Sequence, residues 1–264
     1  MNSKTLTLAF SSLGKTLPDL LSNLNKLSLP DDVEILVMVQ KPQEESSLLI
    51  IAEHIKIVNL TTVGLSRSRN AAIMEAKSNY IWFLDDDVQL TNSDIGKVLD
   101  IINTDSADFY RVKIGCIEWK DKTFKTYKPV NKSTKLNLLQ ISSIEIIANL
   151  DFIKKNELLF NENIGLGTRY QCNEENNFLI DAWDKGAKFN FIDEVLIRHT
   201  CIFEGRILPN NGIFEIKGAT ASRFGLLGAL LVLRWSVRFF IKERKFSYVS
   251  SLVKGFVRGY SFYK

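Results

Sequence analysis

A chain of 264 residues that is 45% hydrophobic and 24% charged is long and apolar enough to bury one large α/β core, with room for a short appendage. Its net charge of +4 is unevenly spread: residues 217–264 hold ten Lys/Arg and one acid, Glu243, leaving 24 Lys/Arg against 29 Asp/Glu in residues 1–216. A basic excess confined to the tail speaks against nucleic acid as a partner, because enzymes of nucleic acid set their cations along the groove that grips the phosphates.

In chain order, Leu6 to Phe10 is a short apolar run that predicts a buried strand, and Thr16-Leu17-Pro18 opens a helix with Leu17, Leu20, Leu21, Leu24 and Leu27 at helical spacing. Glu34 to Val39 (EILVMV), Ile55 to Val58 and Tyr80 to Leu84 (YIWFL) read as further strands, with a helix over Arg67 to Lys77 between the last two. Strands alternating with helices imply a largely parallel sheet. A helix at Asp94 to Ile102, strands at Phe109 to Cys116 and Ser142 to Ile147, and a helix from Glu174 to Lys185 stopped by Gly186 complete the domain. No repeat, low-complexity tract or proline-rich linker interrupts residues 1–216. Cys116, Cys172 and Cys201 are odd in number, far apart and without C-x-x-C spacing, so neither a disulfide framework nor a zinc knuckle is expected, and a reducing cytoplasm is the simplest setting. The opening MNSKTLTLAFSSLG lacks the long apolar core of a secretory signal, which fits the same compartment.

The most informative chemistry is Asp85-Asp86-Asp87, directly after YIWFL at the expected carboxyl end of a buried strand, the edge where open α/β sheets bind ligands. Adjacent carboxylates raise one another's pKa unless a cation or hydrogen-bond donors compensate. A hard divalent ion, Mg²⁺ or Mn²⁺, takes one or two carboxylates and completes its shell with water and phosphate oxygens. A solvated acidic turn, or one that complements a helix dipole, would use the same three letters.

The surroundings of this cluster discriminate between the two. Gly64-Leu65-Ser66-Arg67-Ser68-Arg69-Asn70 lies upstream, and Phe160-Asn161-Glu162, Gly165-Leu166-Gly167, Glu174-Glu175 and Arg198-His199 follow downstream in that order. The ordered set, spread over nearly all of residues 1 to about 205, resembles the family 2 glycosyltransferases of the GT-A fold. The resemblance implies a three-layer α/β sandwich with a mostly parallel mixed sheet over residues 1–216. It also implies inverting, single-displacement transfer from a nucleotide-sugar donor, UDP-sugar favoured, to a hydroxyl of a glycan or lipid-linked acceptor, in cell-surface polysaccharide synthesis.

The residue roles come from the same resemblance. Asp87 is the expected ligand of Mn²⁺ or Mg²⁺, with Asp85 reaching the metal or the donor ribose and Asp86 tuning the local field. His199 is a candidate to complete the metal shell, though a lone histidine is as often simply packed. Arg69 and Arg67, at a helix start, are candidates to meet the diphosphate, with surface pairing the competing role for Arg67. Glu175 is the expected base for the incoming hydroxyl and Glu174 its competitor; from spacing alone, both acids would merely complement a helix N-terminus. Two places depart from the family pattern: Val39-Gln40-Lys41-Pro42-Gln43 replaces the usual Asp that contacts the base, and Ser11-Ser12-Leu13-Gly14 ends the first strand. Gln40, Ser11 or Ser12 is expected to substitute in base recognition, loop capping being the alternative for the serines.

The tail, residues 217–264, contains Phe224 to Leu233 (FGLLGALLVL) followed by Arg234, Trp235, Arg238, Phe239, Phe240 and Ile241. It is too charged to span a bilayer. Helical spacing places Arg223, Arg234, Arg238 and Lys245 on one face and Val232, Trp235 and Phe239 opposite, the pattern of a helix lying in a membrane interface. The expected location is therefore cytoplasmic and peripheral on the inner face of the membrane; packing on the catalytic domain is the alternative. Two rival readings remain at this level: a haloacid-dehalogenase-type phosphatase, which also uses Asp-x-Asp after an apolar strand, and a non-catalytic membrane-binding module.

Overall fold

The computed structural model describes residues 3–42, 52–128, 133–202 and 208–259. Seven strands form one sheet in the order β3-β2-β1-β4-β6-β5-β7, namely β1 (Leu6–Leu13), β2 (Val33–Gln40), β3 (Ile55–Leu60), β4 (Tyr80–Asp85), β5 (Phe109–Cys116), β6 (Ile146–Asn149) and β7 (Phe189–His199). Only β6 runs against its neighbours. The carboxyl ends of β1, β2, β4, β5 and β7 therefore share one edge, and the alternating strands and helices account for this largely parallel arrangement.

Side-chain alternation sorts the strands into two cores. Leu8, Phe10, Tyr80, Trp82 and Leu84 pack with α1 (Leu17–Leu24) and α3 (Asn92–Thr104) on one face of the sheet. Ala9, Leu36, Met38, Ile81 and Phe83 pack with α2 (Leu65–Glu75), α4 (Leu150–Lys155) and α5 (Glu174–Asp184) on the other. This is the expected three-layer GT-A sandwich. Burial on both sides also fixes where β4 ends. A one-residue slip would exchange the partners of Trp82 and Phe83, each contributing roughly 1.5–3 kcal/mol of burial, so Asp85 is held at the edge by the packing of the strand before it. Trp82 is fully buried and its Nε1–H donates to the Ile144 carbonyl at 2.8 Å.

Three expectations are corrected. The strand foreseen at Ser142 to Ile147 is β6, beginning only at Ile146, because Ser142–Glu145 winds a turn in which the Glu145 carboxylate accepts from the Ser142 amide at 2.6 Å. The sulfurs of Cys116 and Cys201 are bonded, joining the end of β5 to the chain just after β7 across 85 residues. Sequence distance hid a pair that the parallel β5–β7 register brings together, Cys116 lying opposite His199. The cysteine argument for a reducing compartment falls with it.

The tail is also differently built. It comprises α6 (Asn211–Ser222), α7 (Gly225–Glu243) and α8 (Phe246–Arg258), so the boundary drawn after residue 216 falls inside α6. Helix α6 is anchored to the sandwich, with the Asn177 amide donating to Thr220 Oγ1 at 3.1 Å and Arg223 reaching Asp181 at 2.6 Å. Helices α6 and α8 cross at glycines: a Cβ on Gly218 would stand 1.9 Å from the Leu252 carbonyl oxygen, and one on Gly255 1.8 Å from that of Glu215. Val232, Trp235 and Phe239, expected on a lipid-facing surface, instead pack with Phe214, Tyr248 and Leu252. The surface that α7 leaves open carries Leu226, Leu230, Leu233, Val237 and Ile241, each more than half exposed. Arg223 belongs to the end of α6 and Lys245 to the break before α8, so neither continues the row of Arg234 and Arg238. Among the described residues, no helix is long and apolar enough to cross a membrane.

Candidate active site

The three aspartates after β4 have three different fates. Asp86 turns toward β1 and accepts hydrogen bonds from Ser12 Oγ, at 2.9 Å, and from Thr16 Oγ1, tying the end of β4 to the start of α1. Asp87 Oδ2 lies 3.1 Å from His199 Nε2. Asp85 lies 3.4 Å from the Arg69 guanidinium, and its carboxyl is pushed up by burial, against the pull of Arg69 and with a further push from Asp87 and Glu174.

Asp87 and His199, distant in sequence, meet because of a short antiparallel bridge just behind them. Gln89 donates its amide to the Arg198 carbonyl at 2.9 Å and Arg198 returns the bond at 3.0 Å, while Arg198 Nη1 reaches Asp94 in the capping turn of α3. The Cys116–Cys201 bond and the Glu118 carboxylate, which accepts from the Cys201 amide at 2.9 Å, hold the chain on the other side of His199. His199 Nδ1 lies 2.9 Å from the Thr200 carbonyl, an arrangement in which Nδ1–H donates and Nε2 is directed at Asp87. In this pairing the hydrogen bond to Asp87 raises the imidazole to about 9, and the same bond lowers Asp87.

The acids that open α5 also differ in their surroundings. Glu174 is buried and bonded to Arg69 Nη1 at 2.9 Å, so Arg69, itself only 2% exposed, spans Asp85 on one side and Glu174 on the other. This burial turns the Arg69 guanidinium onto two carboxylates, and the Arg69 Nε has no partner among the described residues. Glu175 is half-buried and lines a cavity of about 600 Å³; burial first, and the charge of Glu174 second, push its carboxyl well above the ordinary carboxylate range. The preceding residue, Asn173, adopts a left-handed φ of 73°, an uncommon conformation for a side-chain-bearing residue, and its carbonyl accepts the Asn177 amide at 3.1 Å as the helix begins.

The remaining candidates are structural neighbours of this centre. Ser11 accepts from Ser68 Oγ at 2.8 Å, and Gln40 Oε1 accepts from the Gly64 amide at 2.7 Å, locking the residue before α2. Arg67 pairs with Glu162 at 3.2 Å on the surface, its expected alternative role. The first amide of α2, that of Leu65, is taken by the Leu166 carbonyl at 3.1 Å, which closes part of the helix terminus. Gly165 has φ +109°, and a Cβ there would meet Ser66 Oγ at 2.9 Å and Glu174 at 3.3 Å, so only glycine lets this loop approach the acids. Gln43 and Lys264 lie outside the described residues.

Sequence reasoning passed over several side chains that build the site. Asn70 grips Phe160 at both backbone groups, donating to its carbonyl at 2.9 Å and accepting from its amide at 2.8 Å, and Phe160 stacks on Phe178 at 4.1 Å. Position in the Arg-Asn pair was the available signal for Asn70. Nothing local marks Lys217, Trp235 and Phe239 as lining the cavity with Glu175, because their placement follows from the docking of α6 and α7.

The sequence over residues 8–154 matches the profile of Glycosyl transferase family 2. The chain belongs to this family. That membership overturns the phosphatase reading; the matched span takes in residues 64–70 and 85–87 and ends before the downstream motifs. No curated protein sequence matches the chain. Among solved structures it is similar to S. aureus TarS. The complex of the TarS 1–349 fragment with UDP-GlcNAc gives a TM-score of 0.69 at 15% identity, covering 97% of this chain and 81% of that one. The UDP complex of the same fragment gives 0.62 at 16% identity, covering 89% and 72%. A longer TarS structure gives 0.65 at 17% identity, covering 89% of this family 2 chain but only 43% of its own length. The likeness concerns the fold.

Proposed function

We propose that the chain is a cation-assisted, inverting glycosyltransferase that moves a sugar from a nucleoside diphosphate donor, in first place a UDP-sugar, to a hydroxyl of a glycan or lipid-linked acceptor. The observation that carries this reading is the meeting of Asp87 and His199 at the sheet edge, joined through Asp85 and Arg69 to the acids that open α5. The TarS fragments, whose structures hold UDP and UDP-GlcNAc, support the choice of donor through a shared fold.

The residues at the edge fit a hard cation. Asp87 and His199 supply one oxygen and one nitrogen ligand, with Asp85 beside them, and the Nδ1 bond to the Thr200 carbonyl orients the imidazole as metal-ligating histidines are usually oriented. Among the described residues no three such side chains are gathered around one point, so Mn²⁺ or Mg²⁺ would need water and donor phosphate oxygens to complete its shell. When bound, the cation supplies Lewis-acid neutralisation of the departing diphosphate.

The chain's own groups do the rest. Glu175 takes the proton of the incoming hydroxyl, a role suited to an acid whose affinity for protons is raised by burial. Glu174 and Arg69 are positioning residues, holding Glu175 and Asp85 in a fixed relation. Ser12, Thr16 and Gln40 shape the loops against which the nucleoside rests. The hydroxyl attacks the anomeric carbon opposite the leaving diphosphate, so one displacement inverts the configuration.

The tail is the membrane contact in this reading. The open face of α7 is flanked by Arg234, Arg238 and Lys242 at every fourth residue, and α8 presents Phe246, Val253 and Val257 beside Lys254 and Arg258. Apolar side chains bordered by cations are complementary to an anionic lipid surface, which makes the enzyme peripheral.

Isothermal titration of the full chain with UDP, with and without Mn²⁺, tests the centre. Uptake that needs the cation and is lost in Asp87→Ala, together with a fall in transfer of roughly 10²–10³-fold, is expected. Cation-independent uptake, or full activity in Asp87→Ala, would remove the basis of the proposal.

A further inference from the structure

The cavity beside Glu175 is enclosed by parts of the molecule far apart in sequence. One wall is the start of α5, with Cys172, Asn173, Glu175 and Asn176; a second is the segment Leu139 to Ser142 with Lys125; the third is the tail, through Phe214 and Lys217 of α6 and Trp235, Phe239 and Lys242 of α7. Glu175 is the sole acid among these lining residues, against three lysines.

The lysines are not equivalent. Lys125 is committed to the buried Glu145 carboxylate, which it shares with Arg111. Lys217 has no carboxylate partner among the described residues; its ammonium stands 5.6 Å from the centre of the Phe239 ring. The acid of its own helix, Glu215, is turned away and bound by Arg169 at 3.1 Å and Lys254 at 3.5 Å. A half-buried ammonium over an aromatic wall, in ion-pair contact with no carboxylate among the described residues, is a standing attraction for an anion entering the same space.

Resting on the assignment of Glu175 as base, we propose that the acceptor carries a phosphate group, held by Lys217 while its sugar lies against Trp235 and Phe239 and its hydroxyl faces Glu175. Phosphate is favoured over carboxylate because the described residues that line the cavity offer ammonium point charges and no guanidinium fork: planar carboxylates are matched by the bidentate geometry of arginine, whereas lysine serves the tetrahedral oxyanion. The phosphate belongs to a lipid-linked sugar or to a soluble phosphorylated glycan, and the two share this chemistry.

The test measures binding to the full chain of three probes, namely glucose 1-phosphate, its octyl phosphodiester and methyl glucoside. Both phosphorylated probes are expected to bind at least tenfold more tightly than methyl glucoside, and Lys217→Gln to remove most of that difference while Lys217→Arg retains part of it. A further gain from the octyl chain identifies a lipid-borne phosphate, and equal binding of the two phosphorylated probes a soluble one; either supports the proposal. Equal affinity for all three probes, or a preference untouched by Lys217→Gln, overturns it. UDP uptake with Mn²⁺ by the unmodified protein reports separately on the donor centre, so failure of the phosphate proposal is distinguishable from failure of the glycosyltransferase reading.

Discussion

The carboxylate edge and the helical wall opposite Glu175 fix their side chains by different means. At the edge, Asp85 is the last residue of β4, a strand buried on both faces, and His199 the last residue of the edge strand β7, with Asp87 just beyond Asp85, so their positions are set by the sheet core, by the pairing of β7 with β5 and by the Gln89–Arg198 bridge. At the wall, Lys217, Trp235 and Phe239 depend on helices whose close approach rests on glycines and on polar anchors to α5. The edge is thus a fixed instrument for charge, and the wall a surface whose residues change at little cost to the sandwich.

The largest effect should come from the acid that stands between the two regions. Glu175→Gln should lower turnover by roughly 10²–10⁴-fold, with cation-dependent UDP uptake retained. Because burial favours its protonated form, the folded protein holds this proton above the ordinary carboxylate value of 4.5, so activity should climb with pH well above 4.5, and the variant should lose that limb. Stability follows the opposite sign: it declines as pH rises from 4.5 through the raised pKa, and Glu175→Gln should abolish that decline in denaturant titrations.

Next in size is the link itself. Arg69→Met leaves Glu174 buried without its cation and should cost roughly 3–5 kcal/mol in urea unfolding, while the double change Arg69→Met/Glu174→Gln should recover much of that loss. If the single variant proves as stable as the parent, the two regions are not joined as described. Reduction of the Cys116–Cys201 bond, or Cys116→Ser, should remove roughly 2–4 kcal/mol and weaken cation-dependent UDP uptake, since the chain after His199 loses its tie to β5. The smallest effect belongs to the outer face of the tail. Arg234→Gln with Arg238→Gln should weaken partition onto anionic vesicles by about thirtyfold, at roughly 1 kcal/mol per cation, and leave binding to neutral vesicles unchanged.

What the sequence made legible follows the same division. YIWFL and EILVMV are apolar runs whose burial is dictated locally, so the strands, the sheet edge and the aspartates after β4 were readable in advance. The partnership of Asp87 with His199 depends on a bridge between Gln89 and Arg198, and the Cys116–Cys201 bond on the β5–β7 register; neither leaves a local trace. In the tail, the periodicity of Val232, Trp235 and Phe239 correctly marked an apolar face, but periodicity does not say whether such a face meets lipid or protein. Here α6 and α8 claimed it, and the leucines of the opposite side were left outward. Glu174 and Glu175 look interchangeable in sequence, and only the reach of Arg69 tells them apart.

Arg69 also limits how the enzyme can be redesigned. Since one buried guanidinium answers to Asp85 and to Glu174 at once, a cation bound at the aspartate side as proposed would alter the field felt at the start of α5, and protonation there would be felt in return. On the proposed assignment, a change of charge at the donor-side aspartates and one at the acceptor-side acids are therefore not independent engineering problems: each would shift the titration against which the other must be tuned.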